Sequence, residues 1–220
     1  MPISDTISDR ATGKGRAAPS PSVPRRSFLL GLAALGLAVT LGRPASAAST
    51  AQAEALVGKL SGELTQIVNS GRGEGQVYAG FESLLARYAD MPAVSASVLG
   101  PPWRGATQAQ KQAFVAAFQH YLSRRYGKQF REYRNARIEI TGARDGGKAG
   151  VLVTTRVVRP GQESIAVDWQ ISDRSGSTRV VNLIIEGVSM LASERAQVGA
   201  MLEAQRGSID GLIAQLRATG

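Results

Sequence analysis

Cysteine is absent from this chain of 220 residues, and histidine occurs once, at position 120. Without cysteine the chain can form no disulfide, no thiol nucleophile, no cysteine-based metal site and no lipid-modified N-terminal cysteine. The single histidine also leaves too few imidazole groups for most hydrolase triads and most transition-metal sites. The composition therefore argues against an enzyme built on these groups, and we expect no metal site.

A run of about 20 apolar residues, which a membrane-spanning helix needs, is also missing. The apolar stretch from Phe28 to Leu41 spans only 14 residues; it follows Arg25-Arg26 and precedes the small-residue triplet Ala45-Ser46-Ala47. This order is typical of a secretory signal, and the arginine pair before Ser-Phe-Leu resembles the twin-arginine class. We expect residues 1–47 to be a twin-arginine-type signal peptide cleaved near Ala47, with export to the periplasm. An uncleaved membrane anchor is the alternative.

Acidic residues are fewer than basic ones, 17 against 26, which gives a formal charge of +9. Residues 1–47 hold two of the acids and six of the bases, so residues 48–220 keep a net charge of +5. This excess suits contact with an anionic surface, either lipid head groups or nucleic acid. Because an exported protein rarely meets nucleic acid and no motif interleaves basic with aromatic residues, we expect no nucleic-acid partner.

Residues 48–220 number 173, the size of a single domain that can bury a core without disulfides or metals. Apolar side chains recur every three or four residues in residues 49–68, 76–88 and 92–99, which predicts three helices. Thr107 and Gln110 form a capping-box pattern ahead of a fourth helix with an aromatic stripe. Residues 195–216 are again helical, with a break near Gly207.

Between these helical regions the hydrophobic period changes to two. The clearest case is residues 164–171, where apolar and polar residues alternate. Four such segments between residues 137 and 185, separated by short turns, predict an antiparallel meander. The fold class is therefore α+β: N-terminal helices, a curved four-stranded antiparallel sheet and C-terminal helices, which together can enclose an apolar cavity.

Two segments resemble one protein family. The first comprises Gly100, Trp103-Arg104, Ala106-Thr107, Gln110, Phe114, Phe118, Leu122 and Tyr126. The second, which is more specific, runs Val180-Val181-Asn182-Leu183-Ile184-Ile185-Glu186-Gly187-Val188-Ser189 and is followed by Arg195 and Gln197. With the order of elements over roughly residues 50–218, they make the chain similar to the MlaC family, the periplasmic lipid carriers of the maintenance-of-lipid-asymmetry system, once called toluene-tolerance proteins.

The resemblance implies a soluble periplasmic carrier rather than an enzyme. It would bind a phospholipid without a cofactor and exchange it with an inner-membrane ABC transporter complex and an outer-membrane lipoprotein complex. The strand Val167-Asp168-Trp169-Gln170 departs from the family pattern, so a hopanoid or another lipid stays open as the cargo. Nothing in the sequence demands more than a monomer.

Such a carrier must shield acyl chains, since each buried methylene is worth about 0.8 kcal/mol against water. We expect the shielding side chains on the helix stripes and on one sheet face, although a sealed core would show the same pattern. The lipid-binding candidates are Leu84, Leu85, Tyr88, Phe114, Phe118, Leu122, Tyr126, Val153, Val167, Trp169, Leu183 and Ile185.

Basic residues cluster near the end of the aromatic helix. Arg124, Arg125, Lys128 and Arg131, called here the basic cluster, are candidates to contact a lipid head group or an acidic partner. Arg124, Lys128 and Arg131 are expected to share one helix face. The alternative is a solvated helix end, where cations interact favourably with the helix dipole.

Two functions other than lipid transport stay open. The first is a cone-fold enzyme that uses Asp168 or Glu186 as a base inside an apolar pocket. Strand alternation, however, places Asp168 opposite Val167 and Trp169, away from the cavity, and Glu186 is expected to hold local structure before a turn at Gly187. The second is an adaptor that binds only proteins, for which a sealed core is expected.

Overall fold

A computed structural model describes residues 48–219, and the expected signal peptide lies outside these residues. The described part contains seven α-helices and one five-stranded sheet. None of these helices combines the length and the apolar character needed to cross a bilayer. The helices are α1 (Thr50–Asn69), α2 (Glu74–Tyr88), α3 (Met91–Leu99), α4 (Pro102–Gly105), α5 (Gln108–Gly127), α6 (Met190–Ala204) and α7 (Ile209–Thr219). The strands are β1 (Arg137–Asp145), β2 (Val151–Val158), β3 (Ile165–Ser172), β4 (Arg179–Ile185) and β5 (Val188–Ser189).

The sheet is an antiparallel meander in the order β1-β2-β3-β4-β5, which confirms the α+β class. Bulges at Ile140/Gly142 and at Gln170/Ile171 interrupt its register, and such bulges bend strands and increase their twist. The prediction of four strands was one short. The fifth strand, β5, has only two residues, too few to show a period in the sequence.

Side chains at the helix starts determine where several helices begin. The predicted capping box of α5 is present: Gln110 N donates to Thr107 Oγ1 at 3.2 Å and Thr107 N donates to Gln110 Oε1 at 3.0 Å. Ser189 caps α6 by accepting from Ala192 N, so this helix begins at Met190 rather than at residue 195. The expected break near Gly207 separates α6 from α7, and Gly207 adopts a φ of +79° there.

The buried apolar residues form three clusters rather than one. A helical cluster joins α3, α5, α6 and α7 around Phe114, Phe118 and Leu212. A sheet cluster packs α1 on the inner face of β2 and β3, around Val57 and Trp169. A third, small cluster of Leu64, Val68 and Leu84 lies between α1 and α2. A core divided in this way leaves room for a cavity where the clusters meet.

Candidate functional site

A cavity of about 490 Å³ lies between the helices and the inner face of the sheet. All three apolar clusters contribute to its wall, for example Phe118, Trp169 and Leu64. Its volume is within the range of roughly 300–1,000 Å³ typical of ligand sites. Val188 lines the cavity and is also 56% exposed, so the cavity approaches the surface beside the β4–β5 turn.

Helices and strands contribute to the cavity wall in comparable numbers, and most of the contributed side chains are apolar. From α1, α2, α3 and α6 come Leu60, Leu64, Val68, Phe81, Leu84, Met91, Val94, Val98, Met190 and Leu191. From α5 and the strands come Phe118, Leu122, Tyr126, Ile138, Val157, Ile165, Val167, Trp169, Val180, Val181, Leu183, Ile185 and Val188. A wall of this composition offers few hydrogen-bond partners to water and can accommodate hydrocarbon.

The structure brings eight of the twelve lipid-binding candidates together in the cavity wall. These are Leu84, Phe118, Leu122, Tyr126, Val167, Trp169, Leu183 and Ile185. They come from α2, α5, β3 and β4, so the aromatic stripe and the alternating strands do face one another across the cavity.

The other four candidates lie outside the cavity wall. Phe114 is fully buried in the helical cluster, where its ring stacks on Phe118 with 5.7 Å between centroids. Leu85 packs against the same cluster, and Val153 is fully buried in the sheet cluster. The Tyr88 hydroxyl donates to Glu63 Oε1 at 2.6 Å and so ties α2 to α1. These four side chains build the framework around the cavity.

The basic cluster does not act as one surface. Arg125 Nε lies 3.3 Å from Glu194 Oε1, and Arg125 Nη1 donates to the Tyr121 hydroxyl at 2.9 Å. Arg124 Nη1 lies 3.2 Å from His120 Nε2, whereas Lys128 is exposed. Since α5 ends at Gly127, Lys128 is its C-cap and Arg131 belongs to a separate 3-10 turn, Gln129–Tyr133, so the expected common helix face for Arg124, Lys128 and Arg131 is wrong.

The two carboxylates proposed for an enzymatic role are placed elsewhere. Asp168 Oδ1 accepts from Thr154 Oγ1 at 2.6 Å and, as expected, is not part of the cavity wall. Glu186 accepts through its side chain from Ala166 N, while its own N donates to Ala166 O at 3.0 Å. Its expected structural role is confirmed, because these bonds join the ends of β3 and β4.

Sequence reasoning missed a different carboxylate, Glu194 on α6. It lines the cavity and is only 5% exposed. Its Oε1 accepts from the Tyr126 hydroxyl, and its Oε2 is buried without a hydrogen-bond partner. Burial, reinforced by this bond to Glu194, raises the pKa of Tyr126. The signal was present: Leu191, Glu194 and Val198 recur at helical spacing, so a charge stands on an apolar stripe.

Comparison with known proteins agrees with this architecture. A solved structure of a phospholipid-binding protein from Ralstonia solanacearum, in complex with a phospholipid, matches the chain with a TM-score of 0.66. The two are 21% identical, and the match covers 76% of this chain and 96% of that one. The family model described as MlaC protein matches residues 58–218, which is most of the chain. The chain therefore belongs to the MlaC family.

Proposed function

We propose that this protein is a periplasmic carrier that encloses the acyl chains of a phospholipid and moves it between membranes. The observation that carries the proposal is the cavity: about 490 Å³, bounded by three apolar clusters, in a chain of the MlaC family. The structurally similar Ralstonia solanacearum protein was solved with a phospholipid bound, which supports the same class of ligand here.

The apolar wall also suits a carrier thermodynamically. Each methylene moved from water into the cavity gains about 0.8 kcal/mol, so a lipid stays bound while it crosses an aqueous space. Moved from a bilayer into the cavity, the same chain exchanges one apolar environment for another and gains almost nothing. Loading and release are therefore close to balanced, and a membrane complex can drive either one by small differences in contact.

The route and the location belong to the proposal as well. An inner-membrane ABC transporter complex and an outer-membrane lipoprotein complex are the expected exchange partners, as the family resemblance implies. Export through the signal in residues 1–47 would deliver the protein to the compartment between them. We expect no enzymatic step, so the lipid should leave the protein chemically unchanged.

The test is native mass spectrometry of the protein purified from the periplasm of its own cells, followed by extraction and identification of the bound molecule. We expect one phospholipid per protein, recovered intact and transferable to acceptor vesicles. A hopanoid would replace the proposed cargo, and a cleaved lipid would favour an enzyme. A protein that stays empty after incubation with phospholipid vesicles would contradict the proposal.

A further inference from the structure

The cavity reaches the surface at one end of the sheet. Among the described residues that line it, Gln129 and Val188 are the exposed ones. In an antiparallel meander the end of β2, the start of β3, the end of β4 and the start of β5 lie at the same end, where Glu186 N donates to Ala166 O at 3.0 Å. The 3-10 turn Gln129–Tyr133 leads into the start of β1, which lies at this end as well. This turn and these strand ends are called here the cavity mouth.

Arg159 stands at the cavity mouth. It follows β2 directly, two residues after Val157, which lines the cavity beside its strand partner Ile165. The guanidinium carbon of Arg159 lies 5.3 Å from the centre of the Tyr133 ring, and Tyr133 also lines the cavity. An arginine stacked on an aromatic face is partly ordered before it meets a partner. The guanidinium is therefore held in place beside the opening of the cavity.

Arg159 has no counter-ion among the described residues. It forms no ion pair with a described carboxylate, and its hydrogen bond to the protein is a long one, 3.4 Å from Nη2 to Glu163 O. Nε is buried without an acceptor. Nη1 also has no acceptor in the described part of the chain, but it is not buried, so it is available to a ligand at the mouth. A half-buried cation without an anion is costly, and a bound anion would stabilise it.

We propose that Arg159 binds the phosphate group of the carried lipid at the cavity mouth, with Nη1 and Nη2 as the donors. The inference rests on the proposed lipid-carrying function and adds the residue that anchors the head group. Because the cavity wall is largely apolar, a phosphate taken inside it would lose its hydration without compensation. With the acyl chains enclosed, the phosphate therefore stays at the mouth, where the planar guanidinium matches two of its oxygens.

Two lipids with the same acyl chains, one with a phosphate and one without, test this anchor. The protein, emptied of lipid, is incubated with vesicles that contain dioleoylphosphatidylcholine and dioleoylglycerol, and the bound lipids are counted by native mass spectrometry. The ratio of phospholipid to dioleoylglycerol in each variant is compared with the ratio in the unchanged protein, which cancels the different ease with which the two lipids leave a vesicle. We expect R159M to lower this ratio roughly tenfold or more, since it removes a hydrogen bond between charged groups.

Further variants separate the phosphate anchor from a purely structural role. R159K keeps the charge but loses the planar fork, and we expect it to recover only part of the ratio. R144M removes an exposed arginine near the other end of the sheet, where Arg144 pairs with Leu152, and should leave the ratio unchanged. Uptake of dioleoylglycerol by R159M should stay normal, because the apolar wall is intact. If R159M fails to fold, R159K measured against R144K still decides the question.

Inorganic phosphate distinguishes a lipid phosphate from a free anion. We expect it to bind the emptied protein only weakly. If it binds tightly, and R159M loses that binding but takes up the two lipids in the usual ratio, the site serves a free anion and the inference is wrong. The inference is equally wrong if R159M and R144M select lipids alike. A protein that takes up neither lipid contradicts the proposed function first, so the two failures are distinguishable.

Discussion

The indole nitrogen Nε1 of Trp169 donates a hydrogen bond of 2.9 Å to Oγ1 of Thr155 on the neighbouring strand. Thr155 is fully buried, and its own hydroxyl donates to Val167 O at 3.2 Å. Trp169 also lines the cavity. The bond therefore satisfies the polar edge of the indole inside the sheet cluster and leaves its apolar surface to the cavity.

Removing the Thr155 hydroxyl should destabilise the protein without changing the volume of the side chain. In T155V the indole N–H of Trp169 keeps its burial but loses its acceptor, which costs about 1–3 kcal/mol. Urea unfolding, followed by circular dichroism, measures the loss. The matched control T141V alters an exposed threonine on β1 and should stay within about 0.5 kcal/mol. Equal stability of T155V and T141V would show that the Trp169 bond is not needed.

Filling the cavity should prevent lipid uptake while the protein still folds. Leu183 lines the cavity from β4 and is only half-buried, so the larger side chain in L183W can occupy cavity space rather than a packed core. We expect little phospholipid to remain bound to L183W in native mass spectrometry, with its circular dichroism unchanged. The control I140W adds the same ring at an exposed position, where Ile140 is 40% exposed, and should bind lipid normally. If L183W binds as much phospholipid as the unchanged protein, the acyl chains do not occupy this cavity.

Sequence periodicity predicts most of the longer helices and strands but not the cavity. The aromatic stripe of α5 and the alternation in β3 depend on local spacing, so the sequence predicts them directly. Which stripe residues face a cavity depends on how the layers are separated, and spacing carries no such information. Phe114 and Phe118 illustrate this, since they share one stripe and their rings stack, yet only Phe118 reaches the cavity.

Glu194, the buried carboxylate of the site, escapes prediction from the sequence for a different reason. Asp168 and Glu186 lie in or beside segments that the sequence predicts as strands. Glu194 lies just before residue 195, where the sequence predicts that the last helical region begins. If the helix begins at residue 195, Leu191 and Glu194 lie outside it, so the spacing of Leu191, Glu194 and Val198 does not indicate a common helix face. The cap at Ser189, a single hydroxyl, decides this boundary.

The stability contributed by Tyr126 should depend on alkaline pH. Its pKa is raised in the folded protein by burial and by the bond to Glu194, whereas in the unfolded chain a tyrosine has a pKa of about 10. The protonated form is thus favoured by folding, so its contribution is complete below about pH 10 and is lost as the pH rises further. Urea titrations between pH 8 and 11 should show the advantage of the unchanged protein over Y126F shrinking above pH 10. A constant difference would contradict this linkage.

The turn between β4 and β5 should be sensitive to a side chain at Gly187 for backbone reasons alone. Glu186 and Gly187 adopt φ values of +47° and +79°, and a Cβ added at Gly187 would meet nothing within 4 Å. We expect G187A to cost about 1 kcal/mol, since alanine disfavours this conformation. In the control G62A, the same change inside α1 should instead stabilise the protein by up to about 1 kcal/mol. The two melting temperatures should move in opposite directions, and a G187A protein as stable as G62A would mean that the turn tolerates a side chain.

Lys128 is exposed at the end of α5 and Arg124, one turn earlier, is partly exposed, whereas Arg125 is paired with Glu194. We therefore test Arg124 and Lys128 for attraction to an anionic membrane. Each basic residue near an anionic surface contributes about 1 kcal/mol of attraction, which is screened by salt. The double variant R124A/K128A should therefore bind phosphatidylserine-containing vesicles roughly tenfold or more weakly at low salt, and the deficit should disappear at high salt. K59A/R72A removes the same charge from other exposed positions and should lose much less. Equal losses in the two double variants would mean that net charge, rather than this end of α5, attracts the protein to the membrane.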